Sequence, residues 1–155
     1  MRWGLILAVF VAAGVGLWTV MSLLGGGQVG LLRPADAATV AQGQSLYAAN
    51  CASCHGADLK GQPDWRSPGP DGLMPAPPHD VNGHTWHHDD ETLFRLTKLG
   101  PAAVVGGGYE SAMPAYAEML SDEEIVAVLS YIKSTWPEEI RTRHDSLNAA
   151  REESK

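Results

Sequence analysis

The chain has 155 residues, 45% of them apolar and 19% charged, a composition typical of one globular domain and not of a disordered chain. Its formal net charge is −7, from 11 basic and 18 acidic residues, without the basic stripe that binding to phosphates requires. Nucleic acid is therefore not an expected partner, whereas an acidic surface favours electrostatic steering towards a basic docking surface.

The N-terminal segment is an almost unbroken apolar run from Leu5 to Leu24, without any charge. As a helix rising about 1.5 Å per residue, it would be roughly 30 Å long, the thickness of a bilayer core. We predict a transmembrane signal-anchor over residues 1–25, because the run exceeds the apolar part of a cleaved signal, about 7–15 residues. The alternative is cleavage near Ala37, where an Ala-Asp-Ala sequence resembles a processing site.

A glycine-rich segment follows over residues 26–38, and we interpret it as a tether, since each glycine costs a helix about 1 kcal/mol relative to alanine. A helix is predicted from Thr39, as its N-cap, to about Asn50. Its inward face would comprise Val40, Gly43, Leu46 and Tyr47. A glycine on that face would allow a second helix to approach closely.

The motif at residues 51–55, Cys-Ala-Ser-Cys-His, is typical of covalent haem attachment. Two thiols at this spacing can each add to one vinyl group of a porphyrin, and the adjacent imidazole of His55 then coordinates the iron. Structural zinc would need four ligands, and Cys51 and Cys54 are the only cysteines of the chain. A redox dithiol is disfavoured because no strand–helix pattern surrounds the motif. A simple disulfide would leave the histidine without a role.

Six prolines between Gly56 and Asn82 predict a long loop without regular helix or strand. Such a loop offers rigid backbone carbonyls, and we expect one of them to accept the Nδ1 hydrogen of His55. That bond would set the tautomer of the ring and strengthen its donation to a metal.

Four histidines lie within ten residues, at His79, His84, His87 and His88. A second metal site, a spare haem ligand and a solvated surface cluster are the three interpretations. The surface cluster is favoured, because the spacing fits no common ligand pattern and the acidic residues 89–91 are typical of the first turn of a helix. That helix is predicted over Asp89 to Leu99, ending at Gly100-Pro101.

The sequence Met113-Pro114-Ala115-Tyr116 follows a flexible triple-glycine turn and precedes the last predicted core helix. A thioether is a soft ligand for iron, and the proline would stiffen the loop that presents it. We predict Met113 as the second axial ligand, opposite His55. Met74 and Met119 are the rivals, and Met119 is expected in the core because it lies in an apolar, helix-like stretch.

A capping box, Ser121 followed by Glu124, predicts a helix to about Trp136. Its buried face would comprise Ile125, Val128, Leu129, Ile132 and Trp136. Residues 138–155 form a polar tail that can be helical but has little to bury. We therefore predict a folded domain over residues 39–137 followed by this tail.

Taken together, these motifs resemble those of class I c-type cytochromes over about residues 39–137. The resemblance implies an all-α fold in which three to five short helices wrap around one covalently bound haem c. It also implies thioether links from Cys51 and Cys54 and axial ligation by His55 and Met113. The first and last helices of that family cross at a glycine–aromatic contact, which here would be Gly43 and Tyr47 against Val128 and Tyr131.

The same resemblance implies a membrane-anchored mono-haem electron carrier that is not an enzyme. Its expected location is the bacterial inner membrane, with the haem domain on the periplasmic side, or the soluble periplasm if the chain is cleaved near Ala37. A cytochrome bc complex is the expected donor, and a haem-copper oxidase or photosynthetic reaction centre the expected acceptor. The alternatives are a fixed haem c subunit of a membrane oxidase or dehydrogenase, and a haem enzyme or gas sensor in which Met113 is displaceable.

Overall fold

The computed structural model describes residues 30–155, and the predicted transmembrane helix lies outside this part of the chain. The described residues contain α-helices, one 3₁₀ turn at Thr85–His87 and no strand, which confirms the all-α prediction. The helices are α1 (Ala37–Asn50), α2 (Ala52–His55), α3 (Asp90–Leu99), α4 (Pro101–Val105), α5 (Asp122–Ser134) and α6 (Glu138–Glu153). The described residues thus form six α-helices, more than the three to five expected. The additional helices are the short α2 and α4 and the C-terminal α6. None of these helices has the length and apolarity needed to cross a bilayer.

Helices α1 and α5 cross in direct backbone contact, as the resemblance implied. A Cβ atom on Gly43 would overlap the carbonyl oxygen of Ala127 and lie 2.9 Å from the Cβ of Tyr131. One turn later, the rings of Tyr47 and Tyr131 are tilted against each other at 5.5 Å between centroids. Only glycine fits at this crossing, and the predicted helix contact is confirmed.

Side chains cap the N-termini of α1, α3 and α5, whereas α6 begins after Pro137 without a side-chain cap. Asp36, and not Thr39 as predicted, caps α1, because its carboxylate accepts the Thr39 backbone N–H at 2.8 Å. Asp89 caps α3 by accepting from the Thr92 backbone at 3.0 Å. The predicted capping box of α5 is present in both directions and is confirmed.

The two ends of the described chain are packed onto the domain, unlike the tether and the tail expected from the sequence. Leu32, within the predicted tether, is 1% exposed, and its backbone N–H donates to the Asp90 carboxylate at 2.9 Å. The tail forms α6, which fully buries His144 and nearly buries Asn148. The prediction that this segment has little to bury is wrong, because it buries hydrogen-bonded polar groups instead of an apolar stripe.

The hydrophobic core lies mainly between α1, α3 and α5. Its buried members are Leu32, Tyr47, Leu59, Leu93, Tyr116, Leu120, Ile125, Val126, Val128, Leu129, Ile132 and Trp136. Met119 is 54% exposed, so its predicted place in the core is wrong. The residues around it form a turn before α5, and the next residue, Leu120, points inward in its place.

Candidate haem site

The Cys-Ala-Ser-Cys-His motif sits at the junction of α1 and α2. Cys51 ends α1, donating its backbone N–H to the Tyr47 carbonyl at 2.9 Å, and the single turn of α2 carries the motif to His55. That turn stops at Gly56, whose φ of 79° favours glycine. The Tyr47 hydroxyl donates to the Gly56 carbonyl at 2.8 Å, so the backbone of Tyr47 holds one end of the motif and its side chain holds the other.

His55 is 8% exposed and is oriented by a hydrogen bond from its Nδ1 to the Pro77 carbonyl at 2.9 Å. A carbonyl can only accept, so Nδ1 carries the hydrogen. The expected bond to the proline-rich loop is therefore confirmed, and Pro77 is its acceptor. The other ring nitrogen, Nε2, makes no hydrogen bond to any residue from 30 to 155. Burial lowers the pKa of His55, and the hydrogen bond to Pro77 opposes this only in part. The lowered pKa favours the neutral ring, whose Nε2 carries a free lone pair.

No disulfide joins the two cysteines, of which Cys51 is half-buried and Cys54 exposed. Burial, reinforced by Cys54, raises the pKa of Cys51 to about 11. A reactive redox dithiol would need the opposite shift. Among the described residues, no three His, Cys, Asp or Glu side chains are grouped to hold a metal ion.

The methionine loop is held against the end of α1. The hydroxyl of Tyr116, whose pKa is raised by burial, donates at 2.8 Å to the carbonyl of Asn50, the residue before Cys51. The Tyr116 backbone N–H also bonds the Thr97 carbonyl of α3 at 3.2 Å. Met113 is half-buried and packs against the core cluster. The structure thus brings the loop of Met113 to the residue before the motif, through a bond between residues 66 positions apart in sequence.

The rival methionines lie at the surface. Met74 is 38% exposed and Met119 is 54% exposed. Met113 is the least exposed of these three methionines.

His79 is a site residue that sequence reasoning missed, because it was grouped with the other three histidines. Its ring stacks on that of His55 at 4.0 Å between centroids, with 25° between the planes. Burial, with smaller effects of His55 and His84, lowers the pKa of His79 well below 6.5. The available signal was its position two residues after Pro77, in the loop already expected to contact His55.

The other three histidines form aromatic contacts nearer the surface. His84 stacks on Trp65 at 5.3 Å and meets the edge of His88 at 5.4 Å. His87 stacks on Trp86 at 3.7 Å. A second metal site was one interpretation of these histidines. Within residues 30–155, no three His, Cys, Asp or Glu side chains are grouped so that they could form it.

The side chains at this site match the donor set of a haem c. Two cysteines precede a buried imidazole whose Nε2 bonds no residue from 30 to 155, and the half-buried thioether of Met113 lies on a loop tied to Asn50, the residue before the motif. Comparison with known proteins decides the family, since the cytochrome c family matches residues 40–136. This chain belongs to the cytochrome c family. Covalently bound haem c is accordingly its cofactor.

Among curated proteins, this cytochrome c is similar to the cbb3-type cytochrome c oxidase subunit CcoP. It is 32% identical to CcoP of Rhodobacter capsulatus over 104 residues, which are 66% of this chain and 31% of that subunit. It is 33% identical to CcoP of Azospirillum sp. strain B510 over 100 residues, or 64% and 30% of the two chains. The chain therefore spans less than a third of the length of these relatives. No solved structure matches it.

Proposed function

We propose that this cytochrome carries single electrons between membrane complexes, with Cys51 and Cys54 anchoring one haem and His55 and Met113 as its axial ligands. The observation that supports this most is the state of His55, which is buried, neutral and bonded through Nδ1 to Pro77, with Nε2 unused. That is the form in which an imidazole binds iron, and His55 directly follows Cys54 in the attachment motif.

Haem c, when bound, supplies a one-electron iron couple. Side chains on both sides of the metal would leave no open position for oxygen or a substrate. Pro77 orients His55, and Tyr116 ties the methionine loop to Asn50, so both donors are preorganised. Little movement of either donor should then accompany a change of oxidation state, which suits a carrier.

The proposed location is the bacterial inner membrane, with residues 5–24 as a single-pass anchor and the haem domain in the periplasm. Cleavage near Ala37 is disfavoured, because it would remove Asp36, the N-cap of α1, and Leu32, which is 1% exposed in the core. An anchor would keep the carrier beside integral membrane complexes and raise its effective concentration there. We propose a cytochrome bc complex as donor and a haem-copper oxidase or photosynthetic reaction centre as acceptor.

A second candidate is a fixed haem c subunit of a membrane oxidase, favoured by the similarity to CcoP. A fixed subunit would co-purify with one complex from membranes solubilised in mild detergent and would stay with it at high salt. A mobile carrier would separate as a single chain. A haem enzyme or gas sensor is the third candidate, and carbon monoxide binding to the reduced wild-type protein would favour it.

The ligand assignment is tested by expressing the full chain with haem maturation and comparing Met113→Ala with Met119→Ala. We expect covalent haem in a denaturing gel for both variants, loss of the ferric sulfur-to-iron charge-transfer band only in Met113→Ala, and carbon monoxide binding by that reduced variant alone. The band surviving in Met113→Ala would exclude Met113 as ligand. Covalent haem remaining when both cysteines are changed to alanine would refute the attachment.

A further inference from the structure

We propose that His79 is a positioning residue that holds the ring plane of His55 by face-to-face stacking. The inference rests on the proposed function, because it requires His55 to be an axial ligand. The centroids of the two rings lie 4.0 Å apart with 25° between the ring planes, so His79 is stacked against one face of the His55 imidazole.

The hydrogen bond to Pro77 alone does not fix the orientation of the His55 ring plane. The Nδ1 of His55 bonds the Pro77 carbonyl at 2.9 Å, but a carbonyl oxygen accepts hydrogen bonds over a broad range of directions. This bond alone therefore permits some rotation of the imidazole plane about the axis through Nε2. A second ring packed on its face blocks that rotation, because any turn drives one edge of His55 into His79.

His79 can restrict the motion of His55 because its own ring and backbone are held by hydrogen bonds. Its Nδ1 hydrogen-bonds the hydroxyl of Thr85 at 2.8 Å, and Thr85 is 6% exposed. The ring also meets Tyr47 edge-on, with 6.1 Å between centroids.

The backbone of His79 is held on both sides as well. Its N–H donates to the Leu59 carbonyl at 2.8 Å, and its carbonyl accepts from the indole of Trp136 at 2.7 Å. Trp136 is 2% exposed and lies two residues after the end of α5. The stacked ring is thus anchored to the core and not to the mobile end of a surface side chain.

The consequence concerns the electronic structure of the iron. The orientation of an axial imidazole plane determines how the iron d orbitals split, and groups behind a ligand tune the metal by fixing that orientation. A held plane gives one ligand geometry in the whole population, whereas a released plane gives a distribution of geometries.

The test compares His79→Leu, which has no planar ring, with His79→Phe, which retains one, in the haem-loaded full chain. The readouts are the g values and linewidths of the ferric protein by electron paramagnetic resonance, together with its reduction potential. We expect shifted and broadened g values and a changed potential in His79→Leu, and values closer to wild type in His79→Phe. His84→Leu is the matched control, because His84 stacks on Trp65 and not on His55.

If His79→Leu does not fold, Thr85→Val provides the test. This variant keeps the stacked ring of His79 and removes only the Thr85 hydroxyl that orients the ring. A smaller change in the same direction is expected. Spectra of the His79 and Thr85 variants that equal those of wild type and His84→Leu would overturn the inference. A wild-type protein without covalent haem, or with a ferric signal that lacks histidine–methionine ligation, would instead refute the proposed function.

Discussion

At the scale of single residues, the candidate site is organised by backbone carbonyls that accept from ring side chains. Pro77 accepts from His55, Asn50 from Tyr116, and Gly56 from Tyr47. The first two bonds join distant segments to the Cys-Ala-Ser-Cys-His motif or the residue before it, and the third closes the motif onto the helix that carries it. The local geometry of the motif is therefore maintained by rings whose apolar bodies lie in the core and whose polar tips reach the main chain.

Removing the hydroxyl of Tyr116 should loosen the methionine loop. In Tyr116→Phe the ring stays, but the 2.8 Å bond to the Asn50 carbonyl is lost. We expect the free energy of unfolding to fall by about 1 kcal/mol. The sulfur-to-iron band, followed in a denaturant titration, should disappear at a lower denaturant concentration than in wild type. Tyr109→Phe is the control, since that ring is 39% exposed; equal effects of the two changes would contradict the prediction.

Gly43 should not tolerate a side chain. In Gly43→Ala the new methyl group would overlap the Ala127 carbonyl of α5, so the two helices must move apart. Overpacking of this kind costs about 1–3 kcal/mol. Chemical denaturation of the haem-loaded protein measures the loss, with the exposed neighbour variant Gln44→Ala as control. A Gly43→Ala protein as stable as Gln44→Ala would show that the crossing is looser than the structure indicates.

At the scale of elements, α6 is attached through a buried polar network. The Asn148 side chain accepts the Asp90 backbone N–H at 2.8 Å and donates to the Asp90 carboxylate at 3.0 Å. The second oxygen of that carboxylate accepts from Leu32. One buried carboxylate, at the first turn of α3, thus joins the segment before α1 to the C-terminal helix.

Breaking this network at Asn148 should detach α6. Asn148→Ala leaves the Asp90 N–H and carboxylate buried without these partners, at a cost of about 1–3 kcal/mol. Hydrogen exchange should show earlier opening of residues 138–153 than of α1 and α5. Ser146→Ala is the matched control, because Ser146 is exposed on the same helix. Unchanged protection of α6 in Asn148→Ala would refute the attachment.

At the scale of the whole molecule, stability should depend on pH through His144, which is fully buried. Its Nε2 donates to the His88 carbonyl at 2.8 Å, and its Nδ1 faces the Asn148 amide at 3.4 Å. Burial and the positive charge of Lys133 lower the pKa of His144. The carboxylates of Asp90 and Asp145 raise it by less, so the pKa is lower than 6.5. The neutral ring is therefore the folded form.

Protonation then favours the unfolded chain. Because the pKa of His144 is lower when folded than the ordinary 6.5, its contribution to stability is present above pH 6.5 and is lost as the pH falls towards the folded value. Unfolding free energies measured from pH 7.5 down to 5 should decline more steeply for wild type than for His144→Gln, which does not titrate. Parallel curves would show that other groups cause the decline.

Patterns confined to a few neighbouring residues were predictable from the sequence. The haem attachment motif, the capping box of α5 and the glycine on the buried face of α1 all express chemistry within one or two helical turns, where spacing alone decides which atoms meet. Membership of the cytochrome c family follows from the same short motifs. The transmembrane helix and the domain boundaries stay predictions.

Tertiary structure decided which distant groups meet. The acceptor for His55 is 22 residues away at Pro77, and the partner of Asn148 is 58 residues away at Asp90. A proline-rich loop and a polar helix have no hydrophobic periodicity that would predict their contacts. The place of His79 on the face of His55, and of α6 on the domain, was set only when the chain closed, because buried polar groups must find partners wherever the packed core presents them.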